Sequence, residues 1–265
     1  MRSIGKSVYF LPLLWLIPVV VFIFCTPSCL VEEKCFRLED CDQGRYCNAD
    51  GECVYECTKD SDCGELFVCT NHQCTLDSAG LDSLECPDDM VAVENAFCID
   101  IYEASRPDAT ADAEGEDDSM AVSKAGVIPW RLRDSAEAQE YCEAAGKILC
   151  NAAQWEFVCS GPQNYNYTYG NSYDPTICNG KEQFDGHFHL APTGTFPDCT
   201  NGYGTFDMSG NLWEMISGGD TSTARGGAYN CPRQEYHRCD YIPGTWSPTA
   251  IGFRCCLNPE QEEGD

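Results

Sequence analysis

The sequence predicts an α+β chain of low regular secondary structure, in which small disulfide-rich modules precede one larger domain. Three observations predict it. Twenty-one cysteines are spread over 265 residues. A cysteine pattern repeats near the N-terminus. Beyond it, helix-like periodicity is confined to two short stretches, set among Gly, Asn, Tyr and Pro with only brief apolar runs.

Residues 1–28 read as an export signal. Arg2 and Lys6 precede the apolar run "VYFLPLLWLIPVVVFIF" at 8–24, and the small residues of "CTPSC" follow. Prolines interrupt the run, and it is short for a membrane span. Thr26 and Ser28 suit cleavage ahead of Cys29, which then stands where a bacterial lipoprotein carries its lipid; Thr26 (where Leu is usual) and Pro27 depart from a lipobox. The expectation is export to a bacterial cell envelope, with attachment to the outer or cytoplasmic membrane through Cys29 and a tether at 29–34; secretion is the alternative. The cysteine count agrees, because thiols at this density pair in an oxidising compartment. With 43 acidic against 16 basic residues, the formal charge of −27 repels phosphate backbones and argues against nucleic acid.

Residues 35–56 and 57–75 form a duplication. "CFRLEDCDQGRYCNADGEC" and "CTKDSDCGELFVCTNHQC" share C-x5-C-x5-C and a fourth cysteine after five or four residues. Each unit is too small to bury a useful apolar core, so cross-links must restrict its unfolded ensemble. Four cysteines allow three connectivities, and the spacing selects none. Zinc is disfavoured by the lack of C-x2-C knuckles. The units resemble small extracellular cysteine-rich modules of the dickkopf or EB type and read as a stalk or a binding adaptor.

A polar linker at 76–85 leads into a domain at 86–257, and an acidic tail follows at 258–265. "RPDATADAEGEDDSMAVSKAG" at 106–126 lacks apolar periodicity and reads as a surface loop with solvated acids. "RDSAEAQEYCEAAGKILC" reads as a helix capped by Asp134 or Ser135, with a capping box closed by Glu137, a stop at Gly146, and an inner face of Ala138, Tyr141, Cys142 and Ala145. "AAQWEFVCSG" reads as a second helix that turns Trp155 and Cys159 inward. Trp130, Trp155 and Trp213 are expected in the core.

Five stretches then occur in order: "CPDDMVAVENAFCIDIYEAS", "YCEAAGKILCNAAQWEFVCSG", "NGYGTFDMSGNLWEM", "ARGGAYNC" and "GFRCC". Together they resemble the formylglycine-generating enzyme (sulfatase-modifying factor) family over residues 86–256. The resemblance implies a mixed domain related to C-type lectins. Active members oxidise a cysteine in the C-x-P-x-R motif of an exported sulfatase to formylglycine, using oxygen and copper. Soft Cu(I) prefers thiolates, which explains the family's C-x4-C pair after a G-G-S-Y turn. Here the first cysteine is Cys231, the candidate catalytic residue. Tyr236 occupies the second position, Ala228 replaces the serine, and Pro232 follows Cys231.

The resemblance also implies disulfides Cys142–Cys255 and Cys159–Cys239, the second of which removes Cys239 as a substitute ligand. Cys86 and Cys98 flank a hairpin and suit one another. Cys150–Cys256 and Cys178–Cys199 complete a scheme that leaves Cys231 over, although a bridge from Cys231 to Cys178 or Cys199 stays open. Calcium is the cofactor the resemblance implies, through Asp207 and Glu214 side chains with Gly210 and Leu212 carbonyls. A second calcium loop would use Asn179 and Asp185 side chains with Gly180 and His187 carbonyls; such oxygen sets suit calcium's flexible shell, and ion-free Asx turns are the alternative. His187 and His189 alone make a weak zinc signal. The expectation is a surface protein whose domain lacks the copper pair and binds a protein or peptide partner or serves as a structural module. The alternative is a divergent copper-dependent oxidase acting on a sulfatase-type partner. Relatives that make thiol–histidine sulfoxides carry an extra histidine-rich helical domain, which four histidines in the whole chain do not provide.

Overall fold

The computed structural model describes residues 45–47, 52–55, 57–63, 66–77, 84–244 and 248–259. The signal, Cys29 and the tether lie outside the described residues, as does most of the acidic tail. No described helix is long and apolar enough to cross a membrane.

The first repeat contributes an antiparallel pair, β1 (Arg45–Cys47) with β2 (Cys53–Tyr55). The second forms a hairpin, β3 (Phe67–Thr70) with β4 (Gln73–Leu76). Asn71 and His72 turn it at positive φ, the backbone a tight type I′ connection requires. Its disulfides join first to third and second to fourth cysteine, Cys57–Cys69 and Cys63–Cys74. Those sulfurs are committed, which removes them as zinc ligands. The strand runs past residue 75, so the linker begins later than the sequence suggests.

The module does not stand off as a stalk. Phe67 is buried, its ring centroid 6.3 Å from that of Phe97 and 5.9 Å from that of Phe157. Cys57, Cys63 and Phe67 share one apolar cluster with Val93, Val158 and Met208 of the domain. Two disulfides leave so small a unit few apolar side chains of its own, and the domain supplies the missing core.

In the domain, β5 (Met90–Val93), β6 (Phe97–Asp100), β9 (Ile148–Leu149) and β12 (Cys255–Leu257) form an antiparallel sheet in the order β5-β6-β12-β9. A two-residue pair, β7 (Ala104–Ser105) with β8 (Val122–Ser123), anchors the acidic loop. The parallel pair β10 (Trp213–Met215) and β11 (Ile251–Phe253) carries the central tryptophan. Trp130, Trp155 and Trp213 are all fully buried.

Two helices brace the sheet. α1 (Ser135–Ala144) starts at Asp134, whose carboxylate accepts from the N–H groups of Ala136 and Glu137. It ends in a Schellman motif: Lys147 N–H reaches the Cys142 carbonyl and Gly146 N–H that of Glu143, with Gly146 at φ +73°. Ala138 and Cys142 are its buried residues; Tyr141 is half-buried, its ring 4.3 Å from that of Trp130. α2 (Ala152–Ser160) opens on a capping box of Asn151 and Gln154 and buries Trp155, Val158 and Cys159.

The acidic loop is more than a solvated surface. Asp108 accepts from the backbone of Glu116 and Asp117, Arg106 pairs with Glu114 and Asp118, and Arg131 pairs with Glu114. Arg106 also lies 4.3 Å over the Trp130 ring. Local charge pairing thus does what apolar periodicity does elsewhere.

Candidate functional site

Two glycines of "ARGGAYNC" shape the segment at 224–241. Gly226 and Gly227 have φ of +86° and +75°. A Cβ on Gly226 would sit 2.5 Å from the Met208 carbonyl oxygen, and one on Gly227 2.8 Å from His237 Nδ1, so only glycine passes here. The turn delivers Cys231 to a buried position, where its sulfur accepts the Ala228 N–H at 3.1 Å. The Trp213 side chain also hydrogen-bonds to that sulfur. Burial outweighs both contacts and pushes the thiol up to about 12, so Cys231 is a protonated thiol at neutral pH.

Cys231 has no disulfide. Cys239 is bonded to Cys159 of α2, and Cys178 to Cys199, so neither of the two partners left open for Cys231 bonds to it. Cys142–Cys255 and Cys150–Cys256 tie α1 and the end of β9 to β12, and Cys86–Cys98 closes the start of the domain onto β6. Tyr236 packs into an aromatic group, 6.2 Å from Trp213 and 4.9 Å from Tyr241 by ring centroids. Among the described residues Cys231 is thus a lone buried thiol whose sulfur meets the Ala228 amide and the Trp213 indole, neither of them a soft anionic ligand.

The positions at which the resemblance implies calcium ligands fall in two neighbouring loops, joined where Asn211 N–H donates to the Asn179 carbonyl. Asp207 and Glu214 are both buried. Glu214 accepts from Arg254 (2.8 Å to Nη2) and from Trp155 Nε1 at 2.7 Å, while Asp207 Oδ2 accepts the Gly194 N–H at 2.7 Å. Asp207 and Asn211 take positive φ, 62° and 56°, which folds the loop tightly around Gly210. Burial raises Asp207 to about 7.

A third buried carboxylate joins them that the sequence reading did not single out. Glu103 accepts from Leu212 N–H at 2.8 Å and from Asn211 Nδ2 at 2.5 Å. Burial first, then the charges of Asp207 and Glu214, hold it well above the usual carboxylate range. Its only sequence signal is an acid inside the apolar stretch "FCIDIYEAS". Asp100, the fourth residue of that stretch, pairs with Lys147 at 2.6 Å.

In the other loop, Asn179 is buried, its Nδ2 donates to Asn211 Oδ1 and the His189 carbonyl, and its Oδ1 has no hydrogen-bond partner. The Gly180 carbonyl accepts from Gln183 N–H and the His187 carbonyl from His189 Nδ1. The Asp185 side chain lies outside the described residues. His187 and His189 are exposed. Among the described residues, the one set of three or more His, Cys, Asp or Glu ligand atoms within 4.8 Å of one another is Cys57, Cys63 and Cys74, all in disulfides.

His237, also unmarked by the sequence reading, fills the back of the segment. Burial lowers it to about 4, so its ring is neutral, and its Nε2 has no hydrogen-bond partner. On the outer side, a pocket of about 560 Å³ opens beside Tyr229 and Leu190, walled by Asp112, Glu114, Arg131 and His189. Leu190 and Tyr229 also pack against the cluster that holds Cys231.

Residues 86–259 match the family described as the sulfatase-modifying factor enzyme 1-like domain. Formylglycine-generating enzyme of Mus musculus is 30% identical over 159 residues, covering 46% of this chain and 42% of its own length. Inactive C-alpha-formylglycine-generating enzyme 2 of Mus musculus is 28% identical over 152 residues, covering 49% of each. The chain thus spans about half the length of the curated relatives it matches. Among solved structures, Treponema denticola variable protein 1 aligns at a TM-score of 0.46 and 13% identity, over 62% of this chain and 84% of its own.

Proposed function

This chain belongs to the sulfatase-modifying factor enzyme 1-like family, and we propose that it is a member whose domain binds a partner rather than oxidising one. The observation that carries this is the state of Cys231: a buried, protonated thiol with Cys239 locked to Cys159 and Tyr236 where a second sulfur would be needed. The open pocket beside Tyr229 is the binding face nearest that segment. In this reading the protein is exported, for which the paired cysteines of the domain are the support, and it is held at a membrane by lipid on Cys29.

The test is a turnover assay. Purified protein, given Cu(I), oxygen and a peptide containing C-x-P-x-R, is expected to form no aldehyde on the peptide cysteine. Conversion by the wild-type protein, lost in Cys231→Ser, would establish the oxidase instead.

Calcium completes the proposal, held through Asp207, Glu214 and the Gly210 and Leu212 carbonyls, with a second ion through Asn179. Its support is chemical. Three buried carboxylates (Glu103, Asp207, Glu214) surround one guanidinium (Arg254), two negative charges in excess when all are ionised. The unpartnered Asn179 Oδ1 is a hard oxygen of the kind calcium accepts. Bound calcium would supply neutralising charge to the loops that hold it. Saturating calcium is expected to raise Tm by roughly 5–10 °C, the effect of about 2.7 kcal/mol at a hundredfold excess over Kd. Asp207→Asn should abolish most of that rise. An undiminished rise in the variant would remove Asp207 from the ligand set.

A further inference from the structure

A second opening lies on another face of the protein, and its construction is that of a peptide groove. It has a volume of about 460 Å³ and is formed jointly by the docked cysteine-rich module and the domain. All four residues of β4, Gln73 to Leu76, line it. Side chains alternate along a strand, so four consecutive residues reach one groove only through the strand's edge. Among the described residues β4 pairs with β3 alone, which leaves that edge without a strand partner. The hairpin's other edge is closed differently: Cys69 N–H donates to Asp60 Oδ1.

The facing wall is one stripe of α2, Ala153, Glu156, Phe157 and Ser160, at the i, i+3, i+4, i+7 spacing of a single helix face. An open strand edge that lines a groove is the setting in which an extended peptide adds as a new strand. Leu76 and Phe157 give the groove apolar lining, and the acids Glu94 and Glu156 also line it, Glu94 Oε1 accepting from the Tyr203 hydroxyl. The Phe67 plug against Phe97 and Phe157 fixes the two walls relative to one another.

We propose that this composite groove captures an extended, basic polypeptide segment of a partner, which adds to the β4 edge and sets cationic side chains against Glu94 and Glu156. The edge accommodates about four residues, ~13 Å of extended chain. The two groove acids and the formal charge of −27 select the sign of the partner. They also disfavour the chain's own C-terminus, "QEEGD", as occupant. This inference is independent of Cys231 and of the pocket beside Tyr229, and it gives the cysteine-rich module a role: it supplies one wall.

The full exported chain, titrated with a blocked Lys-Val-Lys-Val-Lys-Val peptide at moderate salt, tests it. Saturable binding is expected, with slowed amide exchange at residues 73–76. The same peptide N-methylated at alternate amides keeps its charge but loses strand donors, and should bind at least about tenfold more weakly. Glu156→Gln, which removes the charge but keeps a hydrogen-bonding side chain on the helix face, should weaken binding comparably. Equal binding of the methylated peptide, equal binding of the "QEEGD" peptide, or unchanged exchange at 73–76 would each overturn the proposal, as would no saturation.

Discussion

Replacing Arg254 with alanine is expected to lower Tm by roughly 10 °C or more, the equivalent of about 3–5 kcal/mol. Arg254 is fully buried and satisfies four groups at once: it donates to both oxygens of Glu214, to the Asp100 carbonyl at 2.9 Å and to the Phe206 carbonyl at 2.7 Å. Removing it strands Glu214 beside Glu103 and Asp207, with no other cation paired to Glu214 among the described residues. A buried ion pair contributes little net stability, but breaking one side leaves an uncompensated charge. Arg233→Ala is the control. Arg233 and Glu235 are exposed to 50% and 41%, and loss of such a pair should cost no more than about 1 kcal/mol. Thermal unfolding under non-reducing conditions checks both; equal losses would show that Arg254 holds nothing special.

Phe67→Ala is expected to cost about 3 kcal/mol and to lower the Tm of the domain itself. Phe67 lies in the cysteine-rich module, yet its ring contacts belong to β6 and α2. An independent stalk would lose local packing and leave the domain's transition untouched. A docked module shares the transition, so the variant should unfold earlier by near-ultraviolet circular dichroism of the domain tryptophans. An unaltered domain transition would mean that the module contact is incidental.

Features written in local sequence were legible, and features made by distant contacts were not. Asp134 and Gly146 bracket α1 because a carboxylate acceptor and a residue free to take positive φ are local requirements of helix ends. Glu137 makes only half of a capping box: its N–H donates to Asp134, but its side chain does not return a bond to the Asp134 N–H. The second capping box, Asn151 with Gln154, was equally local and went unread. Strands of two or three residues, such as β7, β9 and β10, are too short to show a period of two. Their pairing is set by side chains far apart in the chain. The same holds for Phe67, whose role needs Phe97 and Phe157 beside it.

At the candidate site, family motifs marked Cys231, Asp207 and Glu214. They did not mark Glu103 or His237, whose buried contacts arise only on folding. Glu103 reaches Leu212 across 109 residues. The composition of the acidic loop at 106–126 is that of a solvated segment, and nothing in it marks the pairing that orders it. Arg106 and Arg131, both outside its acid run, hold Glu114 in place.

The state of the two sulfurs at 231 and 239 is accessible to one measurement. The native protein is denatured without reductant, alkylated, digested, and its peptides mapped by mass spectrometry. The domain should yield one alkylated cysteine, Cys231, and an intact cross-link between the peptides of Cys159 and Cys239. Alkylation at Cys239, or a recovered bridge through Cys231, would contradict the account, because a second thiol would then be free to complete a soft-metal site or the first would be consumed.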